Sequence, residues 1–511
     1  MKMMRIVVLA GLLAPVATAA QQPGVEEAVR TITASDYAWR IGVIAHDSMG
    51  GRDTPSEGLD KTAEWIASEF RRMGLRGGAD DGGFIQRYPL SSVVVDETAS
   101  MLRAGSITLR YGADVLPLRG TSASGEATAE MVLVSGSTQA SSSLAEEVRG
   151  KHAVIVLAED APGLDRTLFQ LVIGMSNAGA ASVSVTNSTG NAAWAANARR
   201  SLRPSVSKGW GDVGNRAEGA FRPLLQIRTS SLERLLAGWD VDLSALQSRA
   251  GEAVRVDAVD GVRVTLTQRV SSQEITAPNV VGILDGSDAE LKQEHVVFSG
   301  HMDHLGIGTP DQNGDSIFNG ADDDGSGTVA VIEIAEAMVA LLIPPKRSMI
   351  FLLVSGEEKG LWGSEWYAEN PSVPIDQLAA NLNTDMVGRN WTDTIVAIGK
   401  EHSDLGETLD RVNGGHPELR MTAIDDIWPE ERFYFRSDHY NFARKGVPSL
   451  FFFNGTHSDY HGRDDEPDRI DAEKAARIAR LVFYLGVDIG NALKRPKWDP
   501  ESYARIVSDR F

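Results

Sequence analysis

Ser348-Met349-Ile350-Phe351-Leu352-Leu353-Val354 runs without interruption into Ser355-Gly356-Glu357-Glu358-Lys359-Gly360-Leu361-Trp362-Gly363-Ser364. An apolar run with no polar alternation describes a strand covered on both faces, the kind found in parallel α/β sheets. Two carboxylates then stand where the strand gives way to a loop, and open α/β sheets place their sites at that end. The same grammar recurs on both sides. A strand over His295–Ser299 leads into Gly300-His301-Met302-Asp303, and Asn319-Gly320-Ala321-Asp322-Asp323-Asp324-Gly325-Ser326-Gly327 opens the next helix. A strand over Ala379–Asn383 ends at Thr384-Asp385-Met386, and one over Ser449–Phe453 leads to His457-Ser458-Asp459-Tyr460-His461. An acidic triplet alone reads as a solvated loop, and a lone Glu-Glu as a helix start favoured by the dipole. Polar clusters after four successive apolar strands read as one site.

The remaining elements from about Asn279 fit this frame. Thr394–Ile398 reads as a strand, and Gly327–Leu342, Leu361–Glu369, His439–Lys445 and Ala472–Leu493 read as helices. The fold class is therefore α/β, with a mostly parallel central sheet flanked by helices. Two earlier helical patterns, Val25 to Ala45 and Glu57 to Leu75, have no sheet of their own and are expected to pack against this later part. Between them, from about Leu116 to Val270, the texture changes to short β-type runs such as Met131–Val134 and Ala153–Leu157, joined by Gly-, Ser- and Ala-rich connections. This stretch carries no ligand cluster and reads as an inserted β-rich domain. No internal repeat or low-complexity tract is apparent.

Length and composition bound the function. The 511 residues suffice for two or three domains with a sizeable core. Fifty Lys and Arg against seventy Asp and Glu leave a formal net charge of −20, which repels nucleic-acid phosphates. There is no cysteine, so disulfides, thiolate metal sites and cysteine nucleophiles are excluded, and any metal must sit on His, Asp and Glu. Lys2 and Arg5 precede the apolar run Ile6–Leu13, and small residues follow at Ala17-Thr18-Ala19-Ala20. This is the layout of a secretory signal peptide over residues 1–20, with export to the periplasm or medium as the expectation. The most apolar later stretch, Thr328 to Ile343, contains Glu333 and Glu336, so no membrane span is expected.

His301-x-Asp303, Gly320-Ala321-x-Asp323-x-Gly325-Ser326-Gly327, Glu357-Glu358-x-Gly360-x-x-Gly363-Ser364, Asn383-x-Asp385-Met386 and Tyr460-His461 resemble, in that order, the motif set of the co-catalytic zinc aminopeptidases of clan MH. That family includes bacterial leucyl aminopeptidases, glutamate carboxypeptidase II and a metal-free relative, the transferrin receptor. The resemblance covers residues 279–490 strongly and 30–75 weakly, and the middle segment resembles a protease-associated domain. It implies the division 21–109 with 276–495 for a discontinuous peptidase domain, 110–275 for the insertion and 496–511 for a tail.

The resemblance also implies roles. His301 and Asp385 would hold one zinc ion, Glu358 and His461 a second, with Asp323 bridging ions about 3.5–4 Å apart. Such N/O donors also accept cobalt or manganese. Asp303 would orient the His301 imidazole. Glu357 would be the general base, Tyr460 a donor to the developing oxyanion, and Arg436 a contact to the substrate backbone. Asp322 and Asp324 compete with Asp323, and only the family register selects the middle one. His304, His439 and His457 compete with His461, which is preferred because Tyr460 precedes it and Asp465-x-Pro467-x-x-Ile470-Asp471 follows in the family manner. Gly462 departs from the Ser or Thr common there. The implied activity is aminopeptidase action on peptides. A carboxypeptidase, a glutaminyl cyclase with one zinc, and a non-catalytic receptor-like binding protein are the alternatives on this fold.

Overall fold

The computed structural model describes residues 24–118, 123–136, 144–159, 161, 165–210, 221–249 and 252–508. The expected signal peptide, residues 1–20, lies outside the described residues. The described chain divides into two compact units, 24–88 with 277–508, and 89–276.

The first unit is built on a central sheet. Its strands are β1 (Val270–Leu284, through its C-terminal part), β2 (His295–His301), β3 (Ser348–Val354), β4 (Leu378–Thr384), β5 (Thr394–Ile398), β6 (Thr422–Ile424) and β7 (Ser449–Phe453). They lie in the order β6-β5-β7-β4-β2-β3-β1. The middle is parallel, β3 beside β2, β2 beside β4 and β4 beside β7. The flanks reverse, since β7 meets β5 and β3 meets β1 antiparallel. Every residue of β2, β3, β4 and β7 is buried, as unbroken apolar runs require.

Helices α1 (Ala34–Ile44), α2 (Glu57–Met73), α3 (Gly327–Val339), α4 (Trp362–Glu369), α5 (Leu405–Gly415), α6 (His439–Ala443) and α7 (Ala472–Asn491) complete the unit. The helix expected over Val25 to Ala45 is interrupted. Thr33 is extended, and its hydroxyl accepts the Asp36 N–H, so α1 starts from a fresh cap there. Helix α2 starts on the Ser56 cap and ends at Gly74, whose φ of 84° closes it in the left-handed region. The early helices share one apolar core with α3, α7 and the sheet, including Ile41, Ile66, Phe70, Ile332 and Phe483. Glu333, buried on α3, is held by Arg40 of α1, which also pairs with Glu336. No helix among the described residues is long and apolar enough to cross a membrane. Residues 496–508, expected as a tail, pack instead into this unit: the Trp498 indole donates to the Gly446 carbonyl and Ile506 is buried with Phe451 and Phe453.

The second unit holds an eight-stranded mixed sheet in the order Ile107–Arg110, Met101–Ala104, Arg255–Gln268, Gly125–Ser135, His152–Ile155, Ser182–Asn187, Leu224–Arg228, Val115–Pro117. Separate apolar clusters cover its faces, one around Leu133, Leu225 and Leu266, the other around Val132, Val172 and Val183. The boundary falls at 88/89 rather than 109/110. The strands Met101–Ala104 and Ile107–Arg110 hydrogen-bond to each other, and the former pairs with Arg255–Gln268.

One side chain fixes how the N-terminal segment meets the first unit's loops. Arg52 is fully buried, and its guanidinium donates to four backbone carbonyls: Met302 (2.7 Å), Ile44 (2.9 Å), Asn319 (2.6 Å) and Gly320 (2.8 Å). A Met at this position would leave those carbonyls unpaired at roughly 1–3 kcal/mol each, partly offset by no longer burying a charge. Arg52→Met is expected to lower stability by about 3–5 kcal/mol in urea unfolding, with Arg52→Lys intermediate because an ammonium lacks the planar fork. Unchanged midpoints would show that the clamp is not structural.

Candidate metal centre

Four strand ends and the turn before α3 converge. His301 ends β2, and its Nε2 lies 3.4 Å from Asp323 Oδ1 and 3.7 Å from Asp385 Oδ1. Asp385, just beyond β4, is held by the Ser437 hydroxyl, which donates to its Oδ2 at 3.0 Å. The other Asp323 oxygen, Oδ2, faces a second group. It lies 3.2 Å from His461 Nε2, which is 3.3 Å from Glu358 Oε2. His304 also belongs to this second group, with Nδ1 2.9 Å from Glu358 Oε1 and 3.7 Å from Asp323 Oδ2. The donor atoms of His301, Asp323 and Asp385 lie within 4.8 Å of one another, as do those of His304, Asp323 and Glu358.

The acidic triplet divides its labour. Asp324 is buried, and its carboxylate accepts the N–H groups of His301 (3.0 Å), Gly327 (2.8 Å) and Met386 (3.1 Å). Asp322 accepts the Gly388 N–H at 2.7 Å and the Ser326 hydroxyl at 2.9 Å, with His457 Nε2 3.3 Å away. Asp323 alone of the three points between the two groups. His439 lies elsewhere, stacked on Phe451 with ring centroids 4.7 Å apart. Asp303 sits behind His301, whose Nδ1 is 3.2 Å from its carbonyl oxygen and 3.6 Å from its carboxylate. That carboxylate accepts the Thr54 hydroxyl at 2.9 Å and the Glu357 N–H at 3.3 Å, so it ties two loops together.

Glu357, Tyr460 and Arg436 line one pocket with His301, Asp323, Asp385 and His461. Met386, Phe433, Phe451 and Phe453 give it an apolar wall, and Ser437 and Thr456 complete the lining. Tyr460 stacks on His461 with centroids 3.9 Å apart. Arg436 is exposed, its guanidinium 4.9 Å over the Phe433 ring and 3.5 Å from Glu431.

The electrostatics are those of a hole awaiting positive charge. Burial, and then the carboxylates of Asp438, Asp385 and Glu358, push the Glu357 carboxyl well up against the pull of His301. Burial raises Asp385 and Asp324 similarly. Burial also opposes ionisation of Glu358, yet the imidazoles of His304 and His461 hold its carboxyl well below the usual range. Burial lowers His461, but the Asp323 and Glu358 carboxylates outweigh it and raise the imidazolium to about 10. Burial and those same carboxylates keep the Tyr460 phenol protonated, hence a donor. Buried carboxylates and imidazoles that converge on two points in this way suit divalent cations.

The residues that aim these groups carry little signal in the sequence. Asp465 stands there only as part of the motif that trails His461. In the structure its carboxylate accepts the N–H of Asp322 (3.0 Å) and Asp323 (3.1 Å), while its carbonyl accepts that of Ala321 (3.0 Å). Ser437 stands in the stretch Arg436-Ser437-Asp438-His439, whose resemblance to a family loop points to Arg436 alone, and Thr54, in the distant N-terminal segment, carries no local signal.

Two outcomes follow from this geometry. Asp465→Asn sets an amide against two N–H donors, and should weaken divalent-ion binding roughly 10–100-fold, read by chelator competition. Retention of full affinity would mean that the turn is held without it. Because His461 carries a proton in the ion-free protein up to about pH 10, ion binding must expel it. Apparent affinity is therefore expected to rise with pH below that value. Titration calorimetry in buffers of different ionisation enthalpy should report proton release, and its absence would contradict the assignment of His461 as a donor.

Known proteins match this architecture. The family model described as peptidase family M28 matches residues 279–486. Aminopeptidase YwaD of Bacillus subtilis (strain 168) is 26% identical over 248 residues, 46% of this chain and 50% of that protein. A probable leucine aminopeptidase of Arthroderma otae is 27% identical over 232 residues, 42% of this chain and 58% of that protein. A probable zinc metalloprotease of Pyrenophora tritici-repentis is 34% identical over 244 residues, 42% and 48% of the two chains. The chain thus spans about half the length of the curated relatives it matches. Among solved structures, the aminopeptidase from Aneurinibacillus sp. strain AM-1 superposes with a TM-score of 0.51 at 18% identity, covering 91% of this chain and 95% of that one. A zinc aminopeptidase from Bacillus subtilis does so with a TM-score of 0.51 at 16% identity, covering 94% and 97%. At these identities the likeness speaks to the fold. Over residues 279–486 this chain is similar to peptidase family M28.

Proposed function

We propose that this protein is a zinc-dependent aminopeptidase that removes apolar N-terminal residues from peptides outside the cytoplasm, using two ions bridged by Asp323. The observation that carries this reading is the Asp323 carboxylate, one oxygen facing His301 and Asp385 and the other facing His461 and Glu358. The names of the M28 relatives support the aminopeptidase class, and the leader-like residues 1–20 support export. Bound ions would supply Lewis acidity at the scissile carbonyl and toward water.

The chain's own residues would do the rest. Glu357 takes a proton from the attacking water and delivers it to the departing amine nitrogen, so the peptide bond breaks as a carboxylic acid and an amine form. Its adjacency to Glu358 lets one turn supply both a donor to the ion and a base beside it. The Tyr460 O–H, held in its donor form, faces the same pocket and is suited to the oxygen on which charge develops. The carboxylates of Asp385 and Glu357 at the pocket favour a free α-ammonium over a blocked N-terminus. Met386, Phe433, Phe451 and Phe453 give an apolar side chain somewhere to lie. Arg436 stands at this pocket on the Phe433 face and is suited to the backbone beyond the scissile bond. The unit 89–276, which holds no cluster of potential metal ligands among its described residues, is assigned a substrate-selecting role as a protease-associated-like module.

The test combines substrates, chelation and two substitutions. Leucyl and phenylalanyl chromophores should be hydrolysed ahead of acidic or N-acetylated ones, with activity lost to chelator and restored by zinc or cobalt. Glu357→Gln should cut turnover roughly 10²–10⁴-fold with ion content retained, whereas Glu358→Gln should lose an ion. Equal cleavage of blocked and free substrates, or activity indifferent to chelation, would sink the reading.

A further inference from the structure

His304 and His439 are both fully buried with neither ring nitrogen hydrogen-bonded, but His304 differs in standing beside two carboxylates, those of Glu358 and Asp323. Its Nδ1 stands 2.9 Å from Glu358 Oε1, an oxygen that is itself buried without a hydrogen bond. These two atoms and the Asp323 carboxylate converge within one ion's reach, so a single cation would take all three as donors. The ring is seated for this position. Its backbone N–H is tied to the Arg52 carbonyl at 3.3 Å, and Gly320, with φ of 55°, leaves room that any Cβ would take from the imidazole.

We propose that His304 is a ligand of the second ion, through Nδ1, in addition to Glu358, His461 and Asp323. The proposal rests on the metal-dependent reading above. With bonds of about 2.0–2.1 Å, tetrahedral donors stand roughly 3.3–3.4 Å apart. The separations around this centre are 2.9, 3.2, 3.3 and 3.7 Å, which bracket that value. The two centres then differ in kind. One has four protein donors, two of them imidazoles, and the other has three, His301, Asp385 and Asp323. The ion beside His301 is therefore the first lost to dialysis, and the ion beside His304 the last.

The test uses the full chain loaded with zinc. Competition with a chromophoric chelator should show two sites of unequal affinity in the wild type, and His304→Ala should weaken the tighter one by roughly 10²-fold or more. X-ray absorption at the zinc edge of the unaltered protein should require three imidazoles for two ions. Melting of both proteins in excess chelator separates a folding defect from a lost ligand, and the absorption measurement decides the matter if His304→Ala does not fold. Two ions bound by His304→Ala with unchanged affinities, or an absorption spectrum fitted by two imidazoles, would overturn this inference and leave the proposed function standing. A wild-type chain that binds no zinc would overturn the function itself.

Discussion

A guanidinium that satisfies four carbonyls from three different segments is the constraint on which the first unit depends. Arg52 draws the end of α1, the loop after β2 and the turn before α3 to one point. Its backbone carbonyl then holds His304, and two residues on, the Thr54 hydroxyl donates to Asp303 while accepting the Gly356 N–H at 3.0 Å. Burial pulls the Arg52 guanidinium down, opposed by Asp303, Asp465 and Asp323, but a guanidinium stays charged under any such shift. The candidate centre is thus steadied from behind by a cation that never enters it. The guanidinium's hydrogen bonds go to peptide oxygens, so the carboxylates of the centre are not taken up as its hydrogen-bond partners.

The Asp322-Asp323-Asp324 turn shows how little of an acidic cluster needs to bind anything foreign. The outer two carboxylates spend their lone pairs on backbone N–H groups of β2, α3 and the loop after β4, which locks those segments in register. Asp465 returns the favour by accepting the turn's own N–H groups. Such oriented amides restrain the turn that carries the Asp323 carboxylate far more tightly than rotamer preference alone. The middle residue is left with both oxygens free of amide donors, and that is what allows it to face two ways.

Much of this was legible. The buried strands announced themselves as apolar runs, and the observed limits of β3, β5 and β7 coincide with the expected ones. The site's polar groups were legible because each follows such a run. The outer part of the sheet was not: α5 and β6 lie in a stretch of mixed polarity, where burial of Leu405, Leu409 and Val412 is decided by distant partners. The position of the first unit's boundary was hidden for a related reason. Strand pairing between 101–104 and 264–267 spans most of the second unit and leaves no mark on either segment. His304 was visible only as one rival among several histidines, since spacing cannot tell which imidazole a fold will strip of hydrogen-bond partners.

The clamp at Arg52 has a temporal side. Its contact with Met302 joins residues 250 positions apart. A ribosome adding about 5–20 residues per second needs roughly 10–50 s to bridge that gap. Until then the residues of α1 and α2 that bury against α3 and α7 lack those partners, and neither group of acids and imidazoles is complete.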